Sequence, residues 1–190
     1  MTTLNEEQLA VPSEDFQYYI DQYKIKHNPT DRREPYTYTY QISPTYTSRD
    51  ELKEQFANHK IDTLLDYGVG QARIYTEAKL HEYWGVKNWI GYDPAVERFS
   101  NKPEGQFDAV ICYDVLEHVP EGSIDYMFQE IFNYSRGPVF LHIGLSPAVA
   151  KLPNGENSHI TIKPRDWWIE KFLKYKKDYH TVYYHRVTYQ

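Results

Sequence analysis

The chain has 190 residues, 25% of them charged, and a formal net charge of −6, a size that fits one domain with a real core. A single cysteine, Cys112, excludes a disulfide framework and a multi-cysteine zinc site. No apolar run approaches the roughly 20 residues of a membrane span and no basic start leads into an apolar leader, so a soluble cytoplasmic protein with no membrane partner is expected.

Residues 1–12 are polar and expected to fray. In EDFQYYIDQYKIKH (14–27), Phe16, Tyr19, Ile20 and Tyr23 fall at helical spacing. Tyrosine, present 19 times, then dominates. In PYTYTYQISPTYT (35–47), Tyr and Thr alternate as on a half-exposed edge strand or ordered loop. Basic residues do not accompany that cluster closely enough to favour base stacking on nucleic acid. Ser48 and Glu51 form an S-x-x-E capping box, opening a helix with Leu52 and Phe56 on one face.

From residue 62 the pattern alternates. DTLLDYG (62–68) reads as a buried strand, ARIYTEAKLHEYW (72–84) as one helix, NWIGYDP (88–94) as a strand, and FDAVICYDV (107–115) as an apolar strand. SIDYMFQEIFNYS (123–135) carries Ile124, Met127, Phe128 and Ile131 on one helical stripe. PVFLHIGL (138–145) is a strand, PRDWWIEKFLKYKK (164–177) a helix with Pro164 near its first turn, and HTVYYHRVTY (180–189) a closing strand. This order predicts an α/β, Rossmann-like three-layer sandwich with a mostly parallel sheet. Residues 1–60 are expected to form a helical, Tyr-rich cap over the cleft, with 61–190 the core of one compact domain. Residues 93–130 hold nine acids against Arg98 and Lys102, which disfavours a polyanionic substrate there. Residues 163–186 hold seven Lys/Arg against three acids, the pattern of a solvated helix face.

In LLDYGVGQA (64–72) an acid ends an apolar strand directly before two glycines. Ligands of open α/β sheets sit at such carboxyl ends, and glycine lets them approach the backbone. A carboxylate would repel the pyrophosphate of a dinucleotide. It suits S-adenosylmethionine (SAM), which has no phosphate and carries an ammonium and a sulfonium. Asp93, closing IGYDP, can accept hydrogen bonds from ribose hydroxyls.

These segments, with FDAVICYDVLEHVPE (107–121), resemble in order the motifs of class I SAM-dependent methyltransferases; the likeness spans about 63–145. LPNGENSHITIKPRDWW (152–168) resembles a segment of small, poorly characterised bacterial and phage members. The resemblance implies SAM as cofactor and S-adenosylhomocysteine as product. It implies that Asp66, Tyr67, Gly68 and Gly70 line the methionine side, that Asp93 holds the ribose and that Pro94 shapes the adenine wall. Tyr113 and Asp114 would lie near cofactor and substrate, with Glu117 and His118 at the cleft mouth. The chain departs from the family pattern at Ala72, which replaces a third glycine. Only 13 residues (94–106) separate the ribose acid from the next strand, too few for the usual helix and third strand. A trimmed sheet of five or six strands is therefore expected, with a shortened C-terminal region of one strand. Phe99 or an N-terminal Tyr is the candidate to cover the adenine.

The segment after the fourth family strand, CYDV, lacks the Pro-Pro-aromatic element of DNA adenine methylation. Cys112 lies inside an apolar strand, as a packed thiol does rather than a nucleophile. A small-molecule acceptor methylated at O or N remains, with nucleic acid disfavoured. His159 and His118 are the candidate catalytic bases, and His142 reads as a satisfied strand histidine. A metal site from His118, His159 and Asp114 is conceivable, but nothing in the spacing demands one and none is assigned. One of Trp167 and Trp168 is expected in the core, the other beside the acceptor. The competing readings are a non-catalytic SAM-binding sensor or partner module and a nucleotide-sugar or dinucleotide oxidoreductase. Oligomeric state is left open.

Overall fold

The computed structural model describes residues 10–27, 40–184 and 187–189. Among these residues six strands form one sheet, in the order β2-β1-β3-β4-β5-β6. They are β1 (Thr63–Tyr67), β2 (Asn88–Tyr92), β3 (Ala109–Tyr113), β4 (Val139–His142), β5 (Val182–Tyr184) and β6 (Val187–Tyr189). The first five are parallel, and β6 pairs antiparallel with β5 at the edge. Helices α1 (Phe16–His27), α2 (Pro44–Thr47) and α3 (Arg49–His59) precede β1, α4 (Arg73–Thr76) and α5 (Leu80–Trp84) join β1 to β2, α6 (Ile124–Tyr134) joins β3 to β4, and α7 (Arg165–Tyr175) joins β4 to β5. The fold is Rossmann-like α/β. Among the described residues no helix is long and apolar enough to cross a membrane.

Alternation along the strands builds two cores, because successive side chains point to opposite faces. Leu64, Ala109, Ile111 and Phe140 face α3, α4 and α5, where they meet Leu52, Phe56, Tyr75 and Trp84. Leu65, Val110, Cys112, Val139 and Leu141 face α6 and α7, meeting Phe128, Ile131, Trp168 and Phe172. The expected stripe on α6 is buried entire, and Cys112 is fully enclosed, which pushes its thiol well above the ordinary range. Chain order reverses between β1 and β3, the position at which an open sheet leaves a crevice at its carboxyl edge.

Four local expectations are corrected. The Tyr/Thr alternation is not a strand over its described part: Tyr40–Ile42 is a 3-10 turn and Pro44–Thr47 is α2; residues 35–39 lie outside the described set. Ser43, not Ser48, caps with its side chain: the Tyr46 N–H donates to Ser43 Oγ at 3.2 Å, whereas the Ser48 side chain makes no cap bond. The helix expected over 72–84 is split into α4 and α5, with Lys79 left-handed at φ 51° between them. At about 100° per residue, an unbroken helix would aim Ile74 and Tyr75 roughly opposite to Leu80 and Trp84. The break lets all four enter the same core. The closing strand is two strands, β5 and β6, paired antiparallel, so among the described residues two follow α7 instead of one. Residues 93–108 contain a single 3-10 turn, Glu97–Phe99, and no strand.

The described residues of the expected cap, 10–27 and 40–60, divide between two places. α1 lies over the carboxyl edge of the sheet, held by Tyr19, Tyr23 and Lys26 to the segment 156–158. α3 packs against the sheet, burying Leu52 and Phe56.

Candidate functional site

A cleft of about 660 Å³ opens at the carboxyl ends of β1, β2 and β3, beneath α1. Asp66, Tyr67, Gly68, Gly70, Asp93, Pro94, Tyr113, Asp114, His118 and His159 all line it. Residues far apart in the chain meet there because parallel strands deliver their carboxyl ends to one edge.

Asp66 shares the face of Leu64 by period 2 and is 6% exposed. Burial pushes its carboxyl up to about 7, with the nearby Tyr75 hydroxyl opposing and the Asp93 charge reinforcing. Tyr67 takes the other face: its hydroxyl donates to Glu130 Oε2 at 2.5 Å, beneath the cleft floor. The turn that follows is pinned to β2, since the Gly68 and Val69 N–H groups donate to the Tyr92 carbonyl at 2.7 and 3.2 Å.

The two glycines do different work. Gly68 has φ 90°, and a Cβ there would lie 2.2 Å from Val115 Cγ2. It needs both the backbone freedom and the space. Gly70 has φ 55°, and a Cβ there would meet nothing within 4 Å. Its N–H donates to Asp93 Oδ2 at 2.9 Å, and the Ala95 N–H donates to Asp93 Oδ1 at 2.9 Å. Each Asp93 oxygen retains a further lone pair for a ligand. Burial pushes the Asp93 carboxyl up, against the His27 imidazole and those two N–H groups. Ala72, in place of a third glycine, also adopts a left-handed conformation, at φ 52°.

At the end of β3, Asp114 is left-handed at φ 55° and accepts a bond from His142 Nδ1 at 2.9 Å. His142 is thus engaged at a strand end, as its sequence context predicts. Glu117 does not sit at the cleft mouth. It is fully buried, because the turn after Asp114 directs it inward, where Oε1 accepts the Gly144 N–H at 2.5 Å. Its Oε2 has no hydrogen-bond partner among the described residues. Burial, then the charge of Asp114, pushes this carboxyl up to about 8.

His118 and His159 meet edge to face, ring centroids 4.8 Å apart. His118 Nδ1 lies 2.8 Å from the Ser158 carbonyl and 2.8 Å from the Tyr23 hydroxyl. His159 Nδ1 lies 2.5 Å from the Ser146 carbonyl. A carbonyl only accepts, so both Nδ1 atoms carry a proton, and in the neutral ring the lone pair lies on Nε2. Burial pushes the His118 imidazole down to about 4, so it is neutral at pH 7.

Two expected residues lie elsewhere. Trp168 is core, as expected of one of the pair, but Trp167 stacks under Lys163 and Lys171 away from the cleft. Phe99 leans on Trp89 and does not line the cleft, whereas Tyr40 does. Sequence reasoning missed Tyr23, Lys26 and Ser158. Lys26 Nζ donates to Ser158 Oγ at 2.6 Å, and burial pushes its ammonium down to about 8. No local signal marks these residues; α1 reaches them only by folding over the cleft.

Comparison with protein-family models gave no match, and comparison with curated proteins gave none.

Proposed function

We propose that the protein is a SAM-dependent methyltransferase that moves a methyl group to an O or N atom of a small molecule. The observation that carries this reading is the convergence of Asp66, the Gly68–Gly70 turn and Asp93 on one cleft. The site fits the cofactor on its own terms. Asp66 is buried with no cationic side chain acting on it among the described residues, as suits a carboxylate that meets a cationic ligand. The open space over Gly70 leaves room against the backbone.

Bound SAM supplies an electrophilic methyl whose sulfonium leaves as a neutral thioether. Asp66 would balance the positive charge, and Asp93 would accept from ribose hydroxyls. The acceptor must be held in line with the methyl, so its alignment in the cleft carries much of the rate. As the new bond to carbon forms, the acceptor's proton passes to a base. Burial pushes the His118 imidazole down to about 4, which weakens it as a base, so the role is assigned to His159, whose Nδ1 is anchored by the Ser146 carbonyl.

Calorimetric titration with SAM and with S-adenosylhomocysteine tests the reading. Micromolar binding, lost in both Asp66→Ala and Asp93→Ala, supports it; the absence of binding by folded wild-type protein refutes it. A non-catalytic SAM-binding module is the second reading, favoured by the bare link between Asp93 and β3. Binding without turnover on any acceptor would select it.

A further inference from the structure

We propose that Glu117, His118 and His159 form a binding site for one divalent first-row transition-metal ion. One ligand-capable atom from each lies within 4.8 Å of the others. Around an ion about 2.1 Å from each ligand, neighbouring ligand atoms sit about 3 to 3.5 Å apart. Closing the widest 4.8 Å separation to that spacing takes about 1.3 to 1.8 Å of movement shared between two side chains.

Three further observations support the assignment. The first is the buried carboxylate: Glu117 is fully enclosed, and its Oε2 makes no hydrogen bond of good geometry among the described residues, with only the Val115 and Glu117 N–H groups close enough to favour its charge. A buried carboxylate oxygen without a partner is costly, and coordination removes that cost. The second is the anchoring of both imidazoles. Their Nδ1–H groups are held by the backbone carbonyls of Ser158 and Ser146, which orients both rings and in the neutral form puts the lone pair on Nε2. Metal-binding histidines are held by such outer-shell bonds. The third is Gly144. A Cβ there would lie 2.6 Å from His159 Cε1 and 2.7 Å from Glu117 Oε1. The missing side chain is what allows the imidazole and the carboxylate to approach.

Two imidazole nitrogens with one carboxylate favour zinc, iron, cobalt or manganese over magnesium or calcium, which prefer all-oxygen sets. The Asp114 carboxylate adds attraction for a cation, and the Lys26 ammonium on α1 opposes it. Both histidines line the cleft, so coordination positions not taken by protein are open to water or to an oxygen of a bound molecule. Ion binding does not depend on the methyltransferase reading.

The test uses the full chain, stripped with a chelator and titrated with CoCl2. Visible d–d absorption and calorimetry report binding, and circular dichroism checks folding. The expected result is one Co2+ per chain, weakened at least tenfold in His159→Ala and also weakened in Gly144→Ala, which removes no ligand. No Co2+ binding by folded wild-type protein overturns the proposal. Binding of equal strength in wild type and both variants places the ion elsewhere and overturns it too. The outcome does not rest on removing the Glu117 carboxylate. Failure of the SAM titration leaves this result untouched.

Discussion

Replacing each cleft glycine by alanine separates the demands of the fold from those of a ligand. At Gly68 an alanine must adopt φ 90°, and its Cβ would stand 2.2 and 2.8 Å from the two Val115 methyls. A left-handed non-glycine residue costs about 1–2 kcal/mol, and forced overpacking about 1–3 kcal/mol more. Lower unfolded-state entropy returns about 0.4–1 kcal/mol. The net loss is about 2–4 kcal/mol, a large part of the roughly 5–15 kcal/mol of a typical domain. At Gly70 the backbone term is about the same, but the added methyl meets nothing within 4 Å, so the net cost is about 1 kcal/mol or less. Urea unfolding followed by tryptophan fluorescence reads both. Val115→Ala removes both clashing methyls, so the double variant Gly68→Ala/Val115→Ala should recover at least about 1 kcal/mol relative to additivity. Equal losses at Gly68 and Gly70, or no coupling to Val115, would refute the packing argument.

Three further outcomes are expected. In metal-free protein, Glu117 titrates near 8 when folded and in the ordinary carboxylate range when unfolded. Its folded pKa is raised, so its contribution is full below about 4.5 and is lost as pH rises through about 8. Wild type should therefore fall behind Glu117→Gln by on the order of 3 kcal/mol at pH 7, read by urea melts at several pH values, and parallel profiles would contradict this. Burial pushes Asp108 up, but the Thr63 and Asp62 N–H groups, the Thr63 hydroxyl and Arg136 outweigh it and hold the carboxyl below the ordinary range. Its stabilisation is present above about 3.9 and lost as pH falls through the lowered value. Asp108→Asn should cost about 1–3 kcal/mol at pH 7 and flatten the acid limb of unfolding. Ser43→Ala should cost about 1 kcal/mol in thermal unfolding and Ser48→Ala less than about 0.5 kcal/mol, because only Ser43 caps with its side chain.

Much of the architecture was legible from pattern. Apolar runs at 64–65, 109–112 and 139–141 became parallel strands, and the stripe of Ile124, Met127, Phe128 and Ile131 became the buried face of α6. Local rules failed where tertiary demands overrode them. Tyr/Thr alternation fits a strand only beside a partner to pair with, and residues 40–47 instead coil against the cleft. The period between Arg73 and Trp84 reads as one helix, but two halves with opposed apolar faces must both reach the core.

Residue type and spacing mark the strand ends: an acid before two glycines, an acid before a proline, and a third acid after an apolar run. Those features are local, since residue type and spacing set the turn and the charge. The tertiary structure alone decided what stands together. Glu117 and His118 lie about 40 residues from His159 in sequence, yet the three close into one cluster. α1 brings Tyr23 and Lys26 across more than 130 residues of chain to Ser158. Burial, and with it the protonation of Asp66, Glu117 and His118, is a property of that packing. It depends on which atoms exclude water, and that is not written in any one segment.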